Sequence, residues 1–517
     1  MVSGISEWLW LSVVATMGLL ALRVVWVLVL RRVLKAVDGE VLELTDVSLL
    51  QIDPQRDKNI ISAFIIFEEA LDAAQQERVR ETLRLNLVAA VPKLRRRVVS
   101  SRLGHPRLLP MDPAADPAAS SQAFLRHWFV RNELCDGIDL DASHHQRQQN
   151  AGDGDDSSGS DGGEAIRTLL AQLVSQPLHH AFTGPMWEFH LVPRFRHSQL
   201  RAARSAMLFR IHHCLGDGLS ILRYVLDSIE WDRALSPPLS RPPRAVAAAG
   251  RPVSMAERLG PVAQLLSPMP SRAAFFRNAA ARSAGPPAVR WFALNRSVEE
   301  LKALGRFPGR DYSINEVLLA ALAGALRSWT EEVPTMLMWV SLMPPSHMYY
   351  PPQHPGIELP TGMSNANLAF VILRLPVHLP SFRERLDDIC RQGRRHLASP
   401  ATPLSNWSSR VIAVLPDWVA LPILLQFGSK GTISCSNVPG PQFPLFIGGA
   451  KLDTLVFWVP PQAGPALFTN IISYNGRVTV GMIGPRCLLS DSHIDEAFEA
   501  QMQELSELHT HPSPASG

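Results

Sequence analysis

The sequence lacks most of the short motifs that mark common enzyme classes. Its 517 residues contain no G-x-S-x-G elbow, no G-x-x-x-x-G-K-[ST] phosphate loop, no G-x-G-x-x-G and no H-E-x-x-H. The five cysteines are scattered and never arranged as C-x-x-C, which argues against a zinc ribbon or a disulfide framework and for a reducing compartment. No long Lys or Arg tract occurs and the formal net charge is only +3, so nucleic-acid binding is not predicted.

The N-terminus is the compositional exception, because residues 8–30 are almost all apolar and Arg23 is their only charge. A helix of that length spans a bilayer core of about 30 Å. No Lys or Arg precedes the run, whereas Arg31, Arg32 and Lys35 follow it, which places the rest of the chain in the cytosol. We predict a single-pass transmembrane anchor. Insertion into the membrane interface is the alternative, and a cleaved signal peptide fits less well because no small-residue cleavage pattern follows.

The length suits two domains rather than one, and polar stretches suggest where they meet. Residues 141–164 contain almost no apolar side chain and are expected to be a solvated insertion. Residues 236–252 are rich in Pro, Arg and Ala and are interpreted as a linker. The predicted division is a transmembrane anchor at 1–36, a first domain at 40–233 with a disordered insertion at 141–164, a linker or crossover at 234–288, a second domain at 289–508 and a flexible tail at 509–517.

Hydrophobic periodicity predicts several individual strands and helices. Ser313 with Glu316 three residues later forms a capping box at a helix start, and Asn475-Gly476 is a strong hairpin signal. Residues 255–281 fit either an amphipathic helix on a membrane or a helix against the core. The clearest predicted elements are a strand at 59–67, a helix at 71–91, a helix at 313–329 and a hairpin of 468–474 with 477–481.

The most informative segment joins a predicted strand to a predicted helix. Residues 206–211 indicate a buried strand, and His212-His213-Cys-Leu-Gly-Asp217-Gly218 follows it. Because successive strand side chains point to opposite faces, the two histidines do not suit a shared metal site. One of them is expected to act as a general base, since a neutral imidazole with a reference pKa of about 6.5 accepts a proton at cellular pH.

Each residue of this segment also has an ordinary structural explanation when it is taken alone. A histidine beside an apolar strand can be a satisfied core residue. Asp217 could orient the imidazole, or it could only cap the following helix, for about 1 kcal/mol. Gly218 could serve only the backbone turn.

Together with three other segments, this motif resembles the wax ester synthase/diacylglycerol acyltransferase family, whose members are acyl-CoA acyltransferases. The likeness covers about residues 40–508 and keeps the order of the family's segments. The matching segments are His212-His213-x-x-x-Asp217-Gly218, Pro185-Met186-Trp187 (Pro-Leu-Trp in the family), Asn315-Glu316 (Asn-Asp in the family), and 436–441 together with 473–476.

The resemblance implies a two-domain α/β fold of the CoA-dependent acyltransferase type, similar to chloramphenicol acetyltransferase, with mixed sheets flanked by helices. The active-site histidine then lies in a tunnel between the domains. The resemblance implies that His213 is the general base for the hydroxyl of a fatty alcohol or diacylglycerol, which attacks the acyl-CoA thioester without an acyl-enzyme. His212 supports the site, Asp217 mainly holds the loop and Gly218 permits its turn. Acyl-CoA is a co-substrate, and neither a cofactor nor a metal is implied.

The resemblance suggests further site residues, each with a structural alternative. Asn315 and the loop containing Asn437, Pro439 and Gly440 would shape the second-domain side of the tunnel. Asn315 could instead satisfy backbone groups at a helix start, and Pro439-Gly440 could form only a tight turn. Trp187 could pack in the core rather than line the path of the acyl chain.

Two departures from the family pattern and the N-terminal run shape the remaining expectations. Glu316 lengthens the family's aspartate, so the hydrogen bonds of that side chain must be rebuilt, and Met186 for leucine is a nearly neutral change. The apolar run looks like the animal, plant or algal branch, which places the protein at the endoplasmic reticulum membrane with its catalytic domains in the cytosol. The expected activity is O-acylation that yields wax esters, triacylglycerol or both. The alternatives are a non-catalytic lipid-binding or lipid-droplet protein on the same fold, and an acyltransferase for a sterol or polar acceptor.

Overall fold

The structure is a computed structural model of the 517-residue chain, and part of that chain is described. The described residues are 2–38, 42–51, 59–99, 106–110, 162–179, 182–195, 202, 204–232, 253–267, 270–271, 273–283, 285–342, 363–459, 464–490 and 492–510. The predicted linker at 236–252 lies outside them, as do the predicted insertion at 141–164 apart from its last three residues and the tail after residue 510.

Helices and strands alternate along most of the described chain. The helices are α1 (Val2–Asp38), α2 (Leu44–Gln51), α3 (Ala73–Thr82), α4 (Gly162–Ser175), α5 (Gly218–Ser228), α6 (Met255–Leu266), α7 (Ala274–Arg282), α8 (Val298–Leu304), α9 (Ile314–Arg327), α10 (Phe382–Leu397), α11 (Ala401–Ala413), α12 (Asp417–Gly428), α13 (Arg486–Leu489) and α14 (Ile494–Thr510). The strands are β1 (Ile60–Phe67), β2 (Arg96–Val99), β3 (Arg107–Pro110), β4 (Trp187–Phe195), β5 (Arg204–His212), β6 (Ala288–Ser297), β7 (Arg306–Phe307), β8 (Arg310–Asp311), β9 (Thr335–Ser341), β10 (Leu368–Arg374), β11 (Ile433–Pro439), β12 (Phe446–Ile447), β13 (Ala450–Trp458), β14 (Leu467–Tyr474) and β15 (Arg477–Gly484).

Two sheets carry the fold. The first has the strand order β12-β13-β1-β5-β4, and all of its pairs are antiparallel. The second has the order β10-β9-β11-β14-β15-β6, in which β11 runs parallel to both β9 and β14. Helices pack on these sheets, so the predicted α/β architecture is confirmed. The expectation of a mixed sheet in each domain holds for the second sheet only, because all strand pairs of the first are antiparallel.

The first sheet takes two of its strands, β12 and β13, from the range predicted as the second domain, 289–508. Strand β13 pairs with β1, with Val456 opposite Phe64. The Phe64 ring packs 5.7 Å from Trp291 of the second sheet, and Trp291 packs 6.3 Å from Trp458. Strand β13 comes from the second-domain range but pairs with β1 of the first sheet. The buried aromatic cluster therefore joins the two sheets. The predicted domain boundaries do not reveal this crossing of β13 into the first sheet.

The individual elements predicted from periodicity are present, although their ends differ by a few residues. Helix α3 continues into a π-helical turn, Leu83–Val88. At the start of α9, the Ser313 hydroxyl accepts a hydrogen bond from the main-chain N–H of Glu316 at 3.3 Å, and the Glu316 carboxylate accepts one from that of Ser313 at 2.7 Å. Asn475 and Gly476 have φ values of 47° and 81° between β14 and β15, as the predicted two-residue hairpin requires.

Segment 255–281 forms two helices that pack on the second-domain body rather than one continuous helix. Leu265 of α6 and Phe276 of α7 are buried. The Glu257 carboxylate of α6 lies 3.2 Å from the Arg395 guanidinium of α10. These contacts support the alternative in which segment 255–281 packs against the core.

Helix α1 presents large apolar side chains to its surroundings. Leu19, Leu22 and Val25 are each more than half exposed, and the Arg31 guanidinium near the helix end donates to the carbonyl of Leu42. A search of the described residues finds no helix of sufficient length and apolar character to cross a membrane. The predicted transmembrane segment is therefore not supported.

Candidate active site

The His212–Gly218 segment forms a tight strand–turn–helix connection at one end of the first sheet. The main-chain N–H of His212 donates to the carbonyl of Met186 at 2.9 Å, and that of His213 donates to the carbonyl of Asn59 at 2.7 Å. These bonds hold the end of β5 between the ends of β4 and β1. Residues 213–215 then make one 3-10 turn, and α5 begins after Asp217. The start of the 213–215 turn is thus held by hydrogen bonds to residues on both neighbouring strands' ends, Met186 and Asn59.

The two histidines have different surroundings. His212 Nδ1 accepts a hydrogen bond from the main-chain N–H of Cys214 at 3.2 Å, and its ring meets Phe182 edge-on with centroids 6.3 Å apart. His213 Nδ1 has no hydrogen-bond partner among the described residues. His212 therefore stabilises the turn, whereas His213 is the imidazole available for other chemistry.

Burial controls the protonation of the residues on this turn. It lowers the pKa of His213 below its usual value, and the Asn365 amide and the Asp46 carboxylate oppose that effect only in part. A His213 side chain with this lowered pKa is neutral at cellular pH and can accept a proton. Burial raises the pKa of the Cys214 thiol, so this neighbouring cysteine is a poor nucleophile.

Asp217 caps helix α5. Its carboxylate oxygen Oδ1 accepts the main-chain N–H of Ser220 at 2.7 Å, which is the usual arrangement of an N-cap residue. The side chain is 4% exposed, and burial raises its pKa to about 6. This hydrogen bond holds the start of α5, and the loop-holding role implied by the resemblance stays a prediction.

The second domain supports the turn through segment 363–367, which precedes β10. The main-chain N–H of Asp217 and the Ser220 hydroxyl both donate to the carbonyl of Ser364, at 3.3 and 2.9 Å. The Asn365 side-chain amide donates to the carbonyl of His213 at 2.6 Å. The histidine turn, residues 212–218, therefore depends on both domains.

A buried network behind the turn was not found from the sequence. Asp46 of α2 accepts the main-chain N–H and the side-chain amide of Asn365, both at 2.8 Å, and the Lys93 ammonium at 2.9 Å. Lys93 also donates to the carbonyls of Leu215 and Met363, at 2.8 and 2.7 Å. Asp46 is the only charged residue of α2, which was the one available signal, and its partners are 47 and 319 positions away.

Residues that the resemblance placed on the second-domain side lie on or beside β11 but do not share one face of it, because successive strand side chains point to opposite faces. The side-chain amide Nδ2 of Asn437 in β11 donates to the side-chain oxygen Oδ1 of Asn315 in α9 at 2.9 Å. The next residue, Val438, faces the histidine turn, because a Cβ placed on Gly218 would lie 3.3 Å from its Cγ2. Gly440 permits close backbone approach, since a Cβ there would lie 2.2 Å from the carbonyl oxygen of Ser473. Pro439 ends β11 beside it.

Trp187 belongs to the core of the first sheet. It is 1% exposed, its Nε1 donates to the carbonyl of Leu94 at 2.7 Å, and its ring stacks on Phe209. The following residue, Glu188, is paired in the interior with Arg210 of β5. The Pro-Met-Trp segment therefore builds the scaffold that holds the end of β5.

The structure is a two-sheet α/β protein in which the turn that carries His212 and His213 is completed by the second domain. Residues 161–320 match the family model of the wax ester synthase/diacylglycerol acyltransferase catalytic domain, and residues 365–506 match that of the WS/DGAT C-terminal domain. Together the two matches cover more than half of the chain. The chain belongs to the wax ester synthase/diacylglycerol acyltransferase family and is an O-acyltransferase.

Individual relatives agree with this assignment. A putative diacylglycerol O-acyltransferase of Mycobacterium bovis is 28% identical over 360 residues, which are 61% of this chain and 67% of that protein. A probable diacylglycerol O-acyltransferase of Mycobacterium tuberculosis is 25% identical over 378 residues, 66% of this chain and 78% of that protein. These relatives are bacterial, so the expected animal, plant or algal branch is not supported.

Solved structures support the fold. The wax ester synthase/diacylglycerol acyltransferase of Marinobacter aquaeolei has a TM-score of 0.54 at 19% identity and is aligned over 91% of this chain and 100% of its own. The trichothecene 15-O-acetyltransferase of Fusarium sporotrichioides has a TM-score of 0.52 at 13% identity, over 90% and 93% of the two chains. The expected CoA-dependent acyltransferase fold is confirmed.

Proposed function

We propose that this O-acyltransferase joins the acyl group of an acyl-CoA to the hydroxyl of a long-chain alcohol or a diacylglycerol. The single observation that carries the proposal is the buried His213 with a free Nδ1, on a turn completed by both domains. The names of the mycobacterial relatives support diacylglycerol as an acceptor, and the family's name supports alcohols as well.

In the proposed reaction, the imidazole of His213 takes the proton of the acceptor hydroxyl. The oxygen then forms a bond to the thioester carbonyl carbon, and the carbon–sulfur bond breaks as the tetrahedral intermediate collapses. The CoA sulfur leaves with the proton that the imidazolium returns. The His213 side chain thus acts first as the general base and then as the general acid. Positioned base catalysis of this kind accounts for about 10²–10⁴-fold in rate.

The test uses purified full-length protein with radiolabelled palmitoyl-CoA and either hexadecanol or dioleoylglycerol. We expect His213→Ala to lower kcat by at least about 100-fold without changing the melting temperature by more than a few degrees. His396→Ala is the matched control, because His396 is also buried and also has a pKa lowered by burial. Product formation that survives the loss of His213, or acyl-CoA binding without turnover in the wild type, would reject the mechanism.

We further propose that α1 rests on the lipid surface that supplies the acceptor. The support is its row of exposed apolar side chains, which water solvates poorly. The test is flotation of the full-length protein with phosphatidylcholine vesicles that contain diacylglycerol. Replacing Leu22 and Trp26 by glutamate should abolish co-flotation, and unchanged flotation would reject this role of α1.

A further inference from the structure

The ammonium of Lys93 binds three separate parts of the chain. It donates to the carbonyl of Leu215 in the histidine turn at 2.8 Å and to that of Met363 in the second domain at 2.7 Å. It also donates to the Asp46 carboxylate of α2 at 2.9 Å, while the carbonyl of Cys214 is more distant, at 3.4 Å. An ammonium has three N–H donors, so the three shorter contacts use its full capacity.

The position of Lys93 is fixed from the first sheet. Lys93 lies on the 3-10 turn Pro92–Arg95, and the Leu94 carbonyl of that turn accepts the indole N–H of the buried Trp187 at 2.7 Å. The Lys93 side chain is 11% exposed and that of Asp46 is 0% exposed. Because its backbone is held and its side chain is enclosed, Lys93 provides a rigid support for the groups that it binds.

Asp46 connects the same ion pair to the candidate base. Its Oδ2 accepts the Lys93 ammonium, and its Oδ1 accepts the side-chain amide of Asn365 at 2.8 Å. That amide also donates to the carbonyl of His213 at 2.6 Å. The ion pair is therefore connected to both ends of the 213–215 turn, to His213 through Asn365 and to Leu215 through Lys93.

Stability alone does not explain a buried ion pair at this place. Removing two charges from water is costly, and an apolar pair of similar volume is often at least as stable. An apolar side chain at position 93 could not donate to the carbonyls of Leu215 and Met363, which would lose this donor. The charged pair therefore provides a defined geometry that an apolar pair cannot.

We propose that Lys93 and Asp46 are positioning residues for acyl transfer. Their ion pair holds both ends of the 213–215 turn against the second domain and so fixes the orientation of the His213 imidazole. Neither residue contacts the reacting atoms in this assignment. The proposal rests on the function proposed above, because it takes His213 as the general base.

The two charges of the pair act on His213 with opposite sign. The ionisable side chains around His213 are Asp46 of α2, Lys93 of the 92–95 turn, and His212, Cys214 and Asp217 of the histidine turn. Burial lowers the pKa of His213, and the Asp46 carboxylate opposes this effect in part. The Lys93 cation lies against that carboxylate and counteracts its charge. Loss of the carboxylate should therefore lower the pKa of His213, and loss of the ammonium should raise it.

The first test is kinetic. Lys93→Met removes the ammonium but keeps most of the side-chain volume. It should lower kcat by at least about tenfold, the effect of a displaced base. KM for palmitoyl-CoA should change by less than about twofold, because the substituted group does not bind substrate.

Lys430→Met is the matched control for the kinetic test. Lys430 is also buried, and its ammonium donates to the main-chain carbonyls of Gln264, at 3.4 Å, and Ser267. This variant should lose a comparable amount of thermal stability and retain kcat within about twofold. Equal losses of kcat in the two lysine variants would overturn the proposal.

The second test follows the imidazole itself, which a merely structural role of the pair would not affect. Full-length protein labelled with ¹³C-histidine is titrated by NMR, and the His213 resonance is identified by its absence in His213→Ala. The titration midpoint should move to lower pH in Asp46→Asn and to higher pH in Lys93→Met, and it should not move in Lys430→Met. Any other pattern of midpoints in folded variants overturns the proposal.

The two tests separate this proposal from the proposed function. If the expected NMR shifts occur but His213→Ala retains its kcat, the ion pair acts on His213 as described and the proposed function fails. If His213→Ala is inactive and Lys93→Met behaves as Lys430→Met does, the proposed function stands and the positioning role fails.

Discussion

The side-chain amide of Asn365 donates a hydrogen bond of 2.6 Å to the main-chain carbonyl of His213. Asn365 belongs to the second domain and His213 to the first. One amide therefore links the two domains at the point where strand β5 ends. Asp46 holds the same amide from α2. The orientation of the candidate base therefore depends on three separate parts of the chain.

Replacing Asn365 by alanine should impair catalysis more than folding. The change leaves the His213 carbonyl and the Asp46 carboxylate short of a donor, which should cost about 1–3 kcal/mol of unfolding free energy. It should also lower kcat by about tenfold, the effect expected of a small displacement of the base.

Asn406→Ala is the matched control, because the buried Asn406 amide also makes two donor contacts, to the carbonyls of Ala366 and Leu368 at 3.0 and 2.7 Å. It should lose comparable stability while retaining most of its kcat. Equal losses of activity in the two variants would contradict a specific positioning role for Asn365. Urea unfolding and steady-state kinetics provide both measurements.

The pH dependence of activity should follow the lowered pKa of His213. Because burial disfavours the imidazolium, kcat/KM should be constant from about pH 7 to 8 and should fall only at a pH below the usual histidine value of about 6.5. The unfolded chain binds this proton more readily than the folded one. The stabilising contribution is therefore present above about pH 6.5 and is lost as the pH falls. A pH–rate profile with a midpoint above 7 would be inconsistent with this assignment.

Asp217→Asn should preserve much of the activity, since asparagine also caps helices well. The wild-type carboxyl has a pKa raised to about 6 by burial, so the folded state holds its proton more tightly than the unfolded state. The wild type should thus lose stability relative to the variant as the pH rises from about 4 to about 6. Thermal unfolding of both proteins across this range checks the sign. Complete inactivation of a folded Asp217→Asn protein would show that the carboxylate does more than hold the loop.

Gly216→Ala should distort the histidine turn. A Cβ at Gly216 would lie 2.5 Å from Cγ of Met363 and 2.7 Å from Oγ of Ser220, so these two side chains must shift. We expect a loss of about 1–3 kcal/mol and a lower kcat. At Gly393, within α10, the nearest atom to an added Cβ is 3.9 Å away, so Gly393→Ala should be neutral or stabilising by up to about 1 kcal/mol. Equal melting temperatures for the two variants would contradict the crowding at Gly216.

Local signals in the sequence were sufficient for several elements. The capping box at Ser313, the Asn475-Gly476 hairpin and the strand before His212 each depend on residues close together in the chain, so periodicity and turn chemistry reveal them. The four matching segments also indicate the acyltransferase family from the sequence alone. The apolar run at residues 8–30 shows that composition is a weak predictor of a membrane span, because hydrophobicity alone did not establish one.

What the sequence by itself determined is the strand–turn–helix that carries His213, together with the family to which the chain belongs. Only the tertiary structure decided how that histidine is held. Asp46, Lys93 and Asn365 meet behind the turn from positions far apart in the chain, and β13 crosses to complete the first sheet. No local pattern encodes such contacts, because they arise when separate elements pack to bury their apolar faces and to satisfy their buried polar groups.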